Sequence, residues 1–207
     1  MPKVHGTALA IALAVAAPSA ARAEAEDVGH LRLSAYLALH VAGEADYNVG
    51  NASGSADLDP TVGFGARGEV PLHDYFVVGG FFELLTFEAD TAFDDEREAV
   101  MSFDLWARAR YVFEVSRDVA VEPYLGVPFG LSLAVLNHPS GGDQVWAGFN
   151  IGVLAGALLR LGAFGAFFEL GWRHHQVFWE QETAFGDIDW KLVTNQMALH
   201  FGASYTF

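Results

Sequence analysis

Hydrophobic residues recur at every second position over most of this 207-residue chain. In one stretch, Phe103, Leu105 and Ala107 alternate with residues that are mostly polar or charged, and residues 31–42 and 190–207 follow the same period. A period of two places successive side chains on opposite faces of an extended strand, whereas a helix would spread the same charges around every face. The pattern therefore predicts a chain built from amphipathic β-strands.

The number and spacing of these segments constrain how the strands are connected. Eight segments carry the pattern, near residues 31–42, 60–70, 75–87, 99–114, 120–136, 144–160, 163–178 and 190–207. Long polar connections (43–59, 88–98, 137–143 and 179–189) alternate with short turns at 71–74, 116–118 and 161–162. Such alternation over an even strand count is typical of transmembrane barrels, and in lipid strands satisfy their backbone groups only in a closed barrel. We therefore predict an all-β fold: an eight-stranded antiparallel up-and-down transmembrane β-barrel.

The first 23 residues have the features of a cleaved signal peptide. Lys3 provides a cationic start, residues 8–17 are apolar, and Ala21-Arg22-Ala23 has the small-x-small pattern of a cleavage site. The apolar run is shorter than the ~20 residues that a membrane-spanning helix requires. We expect residues 1–23 to direct export and residues 24–207 to form the barrel domain.

The charge balance excludes several classes of protein. The chain has 26 Asp and Glu against 11 Lys and Arg, a formal net charge of -15, and no Cys. Nucleic-acid binding requires a basic face, so we expect no nucleic-acid partner. Without Cys there is no disulfide scaffold, no Cys-ligated metal and no thiol chemistry.

The C-terminal segment carries a family resemblance. The chain ends on an alternating strand in which polar His200 is followed by Gly202, Tyr205 and a terminal Phe207. This ending resembles the C-terminal signal of bacterial outer-membrane barrels. Together with the signal peptide and the strand pattern, residues 28–207 resemble small eight-stranded barrels of the OmpX, OmpW and OmpA membrane-domain type.

The resemblance implies a location and a set of partners. It implies insertion into the cell outer membrane, contact with outer-membrane lipids and lipopolysaccharide, and recognition of His200, Gly202, Tyr205 and Phe207 by the barrel-assembly machinery. Aromatic residues are accordingly predicted in two interfacial girdles. One girdle, at the periplasmic ends, comprises Phe76, Tyr111, Phe113, Phe164, Tyr205 and Phe207, and the other, at the outer ends, comprises Phe87, Phe178, Trp179 and Trp190.

Directing the apolar faces outward places twelve charged side chains in the lumen. These are Arg32, Arg67, Arg108, Arg110, Arg160 and Arg173, with Glu69, Glu83, Asp104, Glu114, Glu122 and Glu169. An eight-stranded barrel is just wide enough for its own side chains, and an unpaired buried charge costs several kcal/mol. We therefore expect an ion-pair network that plugs the barrel. The alternative is a narrow gated path for ions or solutes through rearranging pairs.

The same alternation places other polar and aromatic side chains inside. Tyr36, His40, Trp106, Trp146, Asn150, His175, Gln196 and His200 belong to this inward set. Gly63, Gly65 and Gly68 fit the G-x-G-x-x-G pattern, but Pro71 and the strand alternation exclude the helix that a dinucleotide site requires. We expect these glycines to make room for large lumen side chains.

The long connections are acidic. Clusters comprise Glu88, Asp90, Asp94, Asp95, Glu96 and Glu98, and Glu180, Glu182, Asp187 and Asp189. Their oxygens could hold Ca²⁺ or Mg²⁺ at the loops, but the spacing matches no dedicated calcium loop and favours solvated acidic surfaces. The sequence indicates no dedicated metal site and no cofactor.

One motif resembles part of an enzyme active site but lacks one of its residues. His138-Pro139-Ser140 resembles the His-x-Ser pair of barrel lipid A deacylases, but Gly152 stands where that family has Glu, so no acid orients the base. We predict no catalytic residue and a non-enzymatic closed barrel with a structural or surface-interaction role. The alternatives are a narrow pore or transporter for ions or small hydrophobic solutes, and a lipid-modifying enzyme.

Overall fold

The residues that the structure describes form a fold of ten β-strands. It is known from a computed structural model that describes residues 28–50, 52–87, 98–137, 143–183 and 186–207. The strands are β1 (Arg32–Val49), β2 (Ala52–Leu58), β3 (Thr61–His73), β4 (Phe76–Phe87), β5 (Glu98–Arg110), β6 (Phe113–Ser116), β7 (Val119–Asn137), β8 (Asp143–Leu161), β9 (Phe164–Thr183) and β10 (Gly186–Thr206). No helix among these residues is long and apolar enough to cross a membrane.

Eight of the strands close into a ring. The order is β10-β9-β8-β7-β5-β4-β3-β1, and β1 pairs back with β10, all in antiparallel register. The closing seam extends from Arg32 opposite Thr206 to Val49 opposite Trp190, with one bulge after His40. The predicted eight-stranded antiparallel barrel is confirmed.

Two short strands, β2 and β6, lie outside the ring, in segments to which the sequence analysis assigned a connection and part of a longer strand. The connection predicted over 43–59 contains the end of β1 and all of β2, which pair as a hairpin. The segment predicted to run from 99 to 114 is divided into β5 and β6, which pair with β7 in one continuous register, and between them the Tyr111 amide donates to the Pro123 carbonyl. Strand β6 pairs only with β7 and projects beyond the ring.

The barrel has two unlike ends. At the turn end, strands are joined by two-residue turns at 74–75, 117–118 and 162–163. Gly162 there has a φ of 62°, a left-handed conformation that glycine adopts without strain. The described residue Gly29 and the C-terminal Phe207 lie at the same end, where the Gly29 amide donates to the Pro71 carbonyl and the Phe207 amide donates to the Leu31 carbonyl. The opposite, loop end joins β4 to β5 and β7 to β8 through the longer segments 88–97 and 138–142, and it carries the β1–β2 hairpin. The long connection predicted over 179–189 is wrong, because β9 and β10 extend over most of it and only residues 184 and 185 separate them.

Apolar side chains cover the outside of the ring. Leu37, Phe64, Leu105 and Leu131 are all more than half exposed, as alternate residues on four different strands. The six aromatic residues predicted near the turn end are 40% to 66% exposed: Phe76, Tyr111, Phe113, Phe164, Tyr205 and Phe207. This outer face matches the lipid-facing surface of a transmembrane barrel.

The aromatic girdle predicted at the outer ends is wrong for two of its members. Trp179 and Trp190 point into the barrel, where they pack with Trp146. Their positions have the same parity as the buried Val177 and Thr194 on the same strands. Phe178 is 44% exposed on the outside, and the side chain of Phe87 lies outside the described residues.

Glycines make room for large rings inside the barrel. A Cβ at Gly65 would overlap the Tyr36 ring, and one at Gly126 would overlap the Trp106 ring. Gly63 also faces inward, against Leu85, whereas Gly68 lies on the outer face beside Leu33, contrary to the expectation for that glycine. The missing side chains therefore allow bulky residues to cross the lumen.

Candidate functional site

The interior of the barrel concentrates the charged and aromatic residues that the strand alternation directs inward. Five arginines and five carboxylates are at most 5% exposed there: Arg32, Arg67, Arg108, Arg110, Arg173, Glu69, Glu83, Asp104, Glu122 and Glu169. Charges buried to this degree require ionic or hydrogen-bonding partners. Their contacts arrange them in layers from the turn end to the loop end.

Glu122 is the centre of the layer nearest the turn end. Its carboxylate accepts hydrogen bonds from Arg32 at 3.3 Å, Arg108 at 2.7 Å and Arg110 at 3.0 Å. Glu69 shares two of these arginines, with Arg108 at 2.9 Å and Arg32 at 3.3 Å. Three guanidinium groups and two carboxylates thus meet in one layer at this end of the barrel.

A bidentate pair forms the next layer. Arg67 donates to both oxygens of Glu169 at 2.7 and 2.8 Å, and its guanidinium lies 4.3 Å from the centre of the Trp106 ring. The Tyr124 hydroxyl donates to Glu169 at 2.6 Å, and Trp106 Nε1 donates to Glu69 at 2.9 Å. Charge-assisted and cation–π contacts of this kind hold a buried guanidinium in one orientation.

Glu83 has a different environment from the other buried carboxylates. Its oxygens lie 3.6 Å from His40 Nε2 and 3.1 Å from His200 Nε2, and the Tyr36 hydroxyl donates to it at 3.3 Å. Among the described residues, Glu83 is the one buried carboxylate whose ion-pair partners are histidines and no arginine.

A third polar layer lies closer to the loop end. Arg173 donates to Asp104 and to the Asn150 side chain, both at 2.8 Å, and Asn150 donates to Asp104 at 2.7 Å. The Ser132 hydroxyl and His175 Nδ1 form a hydrogen bond of 2.9 Å. Above this layer, the indole of Trp146 stacks on Trp179 at 5.9 Å between ring centres.

Apolar side chains occupy the space between the polar layers. Tyr36, Phe81, Trp106, Tyr124, Leu154, Leu158 and Phe167 form one buried cluster. A cavity of about 10 Å³ lies near the loop end, lined by Leu58, Thr61, Leu85, Val100, His175, Thr194 and Gln196. This volume holds about one water molecule. The described interior is therefore packed like a protein core.

A much larger hollow of about 1160 Å³ lies against the barrel wall and is not part of the lumen. Most of its lining faces outward, including Leu33, Ala35, Phe103, Leu105 and Leu131. Its low polarity reflects the apolar outer surface, so it marks a shallow depression in that surface and not a binding chamber.

Two predicted lumen charges lie elsewhere. Glu114 is exposed on β6, because this strand lies beyond the closed ring and pairs only with β7. Placing Glu114 in the network was therefore wrong. Arg160 keeps the inward parity of Leu158 but is only half-buried, near the turn at 162–163.

The predicted assembly residues divide between the two faces of β10. Tyr205 and Phe207 are 40% and 64% exposed on the outside, with their rings 4.9 Å apart. His200 is fully buried and contacts Glu83 and Glu169, while Gly202 lies against the Phe167 ring. The polar residue of the terminal pattern thus belongs to the lumen network.

The acidic residues at the loop end are described only in part. Glu180 and Asp189 are exposed and lie directly opposite each other on β9 and β10. The side chains of Glu88, Asp90, Asp94, Asp95, Glu96, Glu98, Glu182 and Asp187 lie outside the described residues, as do His138, Pro139 and Ser140.

Sequence analysis identified the lumen residues individually but missed two groupings. The Trp146, Trp179 and Trp190 cluster was detectable from strand parity, since each has the parity of a buried residue on its own strand. The grouping of His40, Glu83 and His200 has no signal in the sequence, because it depends on how β1, β4 and β10 are placed around the ring.

Comparison with known proteins identifies the fold. No protein-family model and no curated protein matches the chain. Among solved structures, the outer membrane protein OprG from Pseudomonas aeruginosa is similar, with a TM-score of 0.62 and 11% identity over 87% of this chain and 97% of that chain. The outer membrane protein AlkL, solved in DMPC lipid bilayers, has a TM-score of 0.54 and 19% identity over 87% of this chain and 91% of that chain. This chain therefore has the fold of the small outer-membrane β-barrel proteins that it resembles in sequence pattern.

Proposed function

We propose that this chain is an integral outer-membrane barrel with a closed lumen, which acts at the cell surface and not as a conduit or an enzyme. The packed interior is the observation that carries the proposal. Arginine–carboxylate pairs cross the lumen in layers, and the cavity near the loop end has a volume of only about 10 Å³. An ion moving through would have to separate buried pairs, and breaking such a pair costs about 3–5 kcal/mol.

Several observations support the membrane placement. The outer face is apolar around the ring, aromatic residues surround the turn end, and proteins of similar fold are outer-membrane proteins. Short turns face the periplasm in such barrels, so we assign the turn end to the periplasm and the loop end to the cell exterior. Export by the segment 1–23 and insertion by the barrel-assembly machinery complete the proposed route.

Acidic residues that face each other at the loop end support a role at the cell surface. The β1–β2 hairpin projects there, with Glu44 directly opposite Asp57, and β9 and β10 place Glu180 opposite Asp189. Like charges facing each other across strands repel unless cations screen them. We propose that this acidic surface contacts lipopolysaccharide through divalent cations that both sides share.

Single-channel recording tests the closed lumen. Protein from outer membranes of cells expressing the full chain is inserted into a planar bilayer, with heat-modifiable gel migration showing that it is folded and a general porin as the positive control. We expect no discrete conductance steps. Reproducible steps that change in Arg108→Ala would overturn the closed lumen and establish the pore alternative.

The lipid-modifying alternative has its own test. It depends on His138 and Ser140, which lie outside the described residues. We expect lipid A from cells with and without the protein to have the same mass spectrum. A mass difference that disappears in His138→Ala would show that the protein is an enzyme.

A further inference from the structure

Three buried side chains in the middle of the barrel direct their free ligand atoms at a common point. His40 on β1, Glu83 on β4 and His200 on β10 are 1%, 0% and 0% exposed. One ligand atom from each lies within 4.8 Å of the other two. His40 Nε2, His200 Nε2 and Glu83 Oε1 make no hydrogen bond. Unpartnered polar atoms at this depth are rare in native proteins, so their convergence calls for a ligand.

The Nδ1 atoms of both histidines, which face away from Glu83, lie within hydrogen-bonding distance of acceptor oxygens. His200 Nδ1 lies 3.0 Å from Glu169 Oε2, and His40 Nδ1 lies 2.7 Å from Gln196 Oε1. An ionised carboxylate only accepts hydrogen bonds, so the Nδ1 of His200 carries a proton. The amide oxygen of Gln196 is also an acceptor, so it orients the His40 ring with a protonated Nδ1. His200 Nε2 lies 3.1 Å from a Glu83 oxygen, so without a metal ion it carries a proton for that carboxylate, and an ion bound beside Glu83 takes the place of that proton. An acceptor on the far nitrogen is the usual outer-shell arrangement of histidines that bind metals.

The charge balance around Glu83 differs from that around the other buried carboxylates. Glu69 and Glu122 each contact arginines, Glu169 pairs with Arg67, and Asp104 pairs with Arg173. For Glu83, the described ion-pair partners are the two imidazoles. A carboxylate buried in a dry interior requires a positive charge beside it, which is supplied by a protonated imidazole or by a metal ion that both imidazoles bind.

The spacing suits a transition-metal ion. Two ligand atoms bound ~2.0 to 2.1 Å from a tetrahedral Zn²⁺ lie about 3.3 Å apart. His200 Nε2 lies 3.1 Å from Glu83 Oε2 and His40 Nε2 lies 3.6 Å from Glu83 Oε1, so the two imidazoles approach different oxygens of one carboxylate at spacings near this value. Two imidazoles and one carboxylate suit Zn²⁺ and neighbouring first-row ions, whereas Ca²⁺ and Mg²⁺ require more oxygen ligands.

We propose that His40, Glu83 and His200 bind one divalent first-row transition-metal ion, such as Zn²⁺, inside the barrel. Water takes the remaining ligand position. The ion links β4 to β1 and β10, the two strands of the closing seam, and so stabilises the packed lumen. The cavity of about 10 Å³ near the loop end is lined by Gln196 and His175 and provides the entry side.

Metal titration of the protein without a histidine tag tests the site. The protein is purified from cells expressing the full chain, stripped with EDTA, and titrated calorimetrically with Zn²⁺, and separately with Co²⁺ while its visible absorption is recorded. We expect one ion per chain and the intense absorption of tetrahedral Co²⁺. His40→Ala and Glu83→Gln should weaken binding by more than tenfold, and Gln196→Leu, which removes the acceptor behind His40, by about 10–100-fold.

Matched variants separate this site from adventitious binding. His73 lies at the turn end, and the His174 ring is hydrogen-bonded to Asn195, so neither contacts the proposed site. The variants His73→Ala and His174→Ala should therefore leave Zn²⁺ binding unchanged. Each variant is checked for folding by heat-modifiable migration. Binding that survives His40→Ala, or that is lost in His73→Ala, would overturn the proposal. If the ligand variants do not fold, the wild-type spectrum decides: tetrahedral Co²⁺ supports the site, and folded protein that leaves Co²⁺ hydrated overturns it.

Discussion

Arg67 and Glu169 meet across the barrel through two parallel hydrogen bonds of 2.7 and 2.8 Å. Their strands, β3 and β9, are not neighbours in the ring, so the pair spans the lumen. Arg67 is 3% exposed and Glu169 is fully buried, which leaves either charge without solvent if its partner is removed. The pair therefore contributes to the packing of the lumen as well as to its charge balance.

Removing one member of this pair should destabilise the barrel strongly. Arg67→Met leaves the Glu169 carboxylate buried and unpaired, and we expect a loss of about 3–5 kcal/mol in the free energy of unfolding. The double variant Arg67→Met with Glu169→Gln should recover part of this loss, because no unpaired charge remains. Urea unfolding in phospholipid vesicles, followed by heat-modifiable migration, measures both. Arg117→Met, in the exposed 117–118 turn, is the control, and an equal loss there would contradict the prediction.

Two glycines on the barrel wall should respond oppositely to the same substitution. Gly126→Ala would push a methyl group into the Trp106 ring, and overpacking of this kind costs about 1–3 kcal/mol. At Gly80, which faces outward, the space for a Cβ is open within 4 Å. Gly80→Ala should therefore leave the unfolding midpoint unchanged or raise it slightly. Similar midpoints for the two variants would show that the lumen is not packed against Gly126.

Indole fluorescence can test which faces contact lipid. Trp172 is 42% exposed on the outside of β9, whereas Trp106 is 1% exposed in the lumen. In vesicles of lipids with brominated acyl chains, a variant that retains only Trp172 should be strongly quenched, and one that retains only Trp106 should not. The other tryptophans are replaced by Phe in both variants. Quenching of Trp106 comparable to that of Trp172 would contradict the strand register.

The terminal aromatic residue should matter for assembly more than for stability. Phe207 is 64% exposed and contacts Tyr205 at the end of β10, so it contributes little to the core. We expect Phe207→Ala to lower the amount of protein in the outer membrane several-fold, while purified folded protein keeps its unfolding midpoint. Phe113→Ala, which alters another exposed aromatic residue at the turn end, is the control. Unchanged membrane levels in Phe207→Ala would remove Phe207 from the assembly signal.

Local pattern accounts for most of what the sequence predicted correctly. Alternation along each strand depends only on neighbouring residues, so it identified the ring strands and the inward positions of Tyr36, Trp106 and Asn150. The predictions that failed depended on where strands end. Glu114 lies outside the lumen because β6 extends beyond the ring and pairs only with β7. Trp179 points inward because β9 continues with unbroken parity past residue 178, where the strand was expected to end, and Trp190, the first residue of the predicted last strand, has the inward parity of Gln196.

The sequence by itself determined the strand period, the closed barrel and most of the charges that enter its lumen, because these follow from side-chain polarity and the solvent on each face. The tertiary structure alone decided which charges meet. Glu169 pairs with Arg67 and contacts His200, while Glu83 is left with His40 and His200, because strand stagger and ring closure set the height of each side chain in the lumen. Residues far apart in the chain become neighbours only when that closure is complete, so no spacing along the sequence could have revealed them.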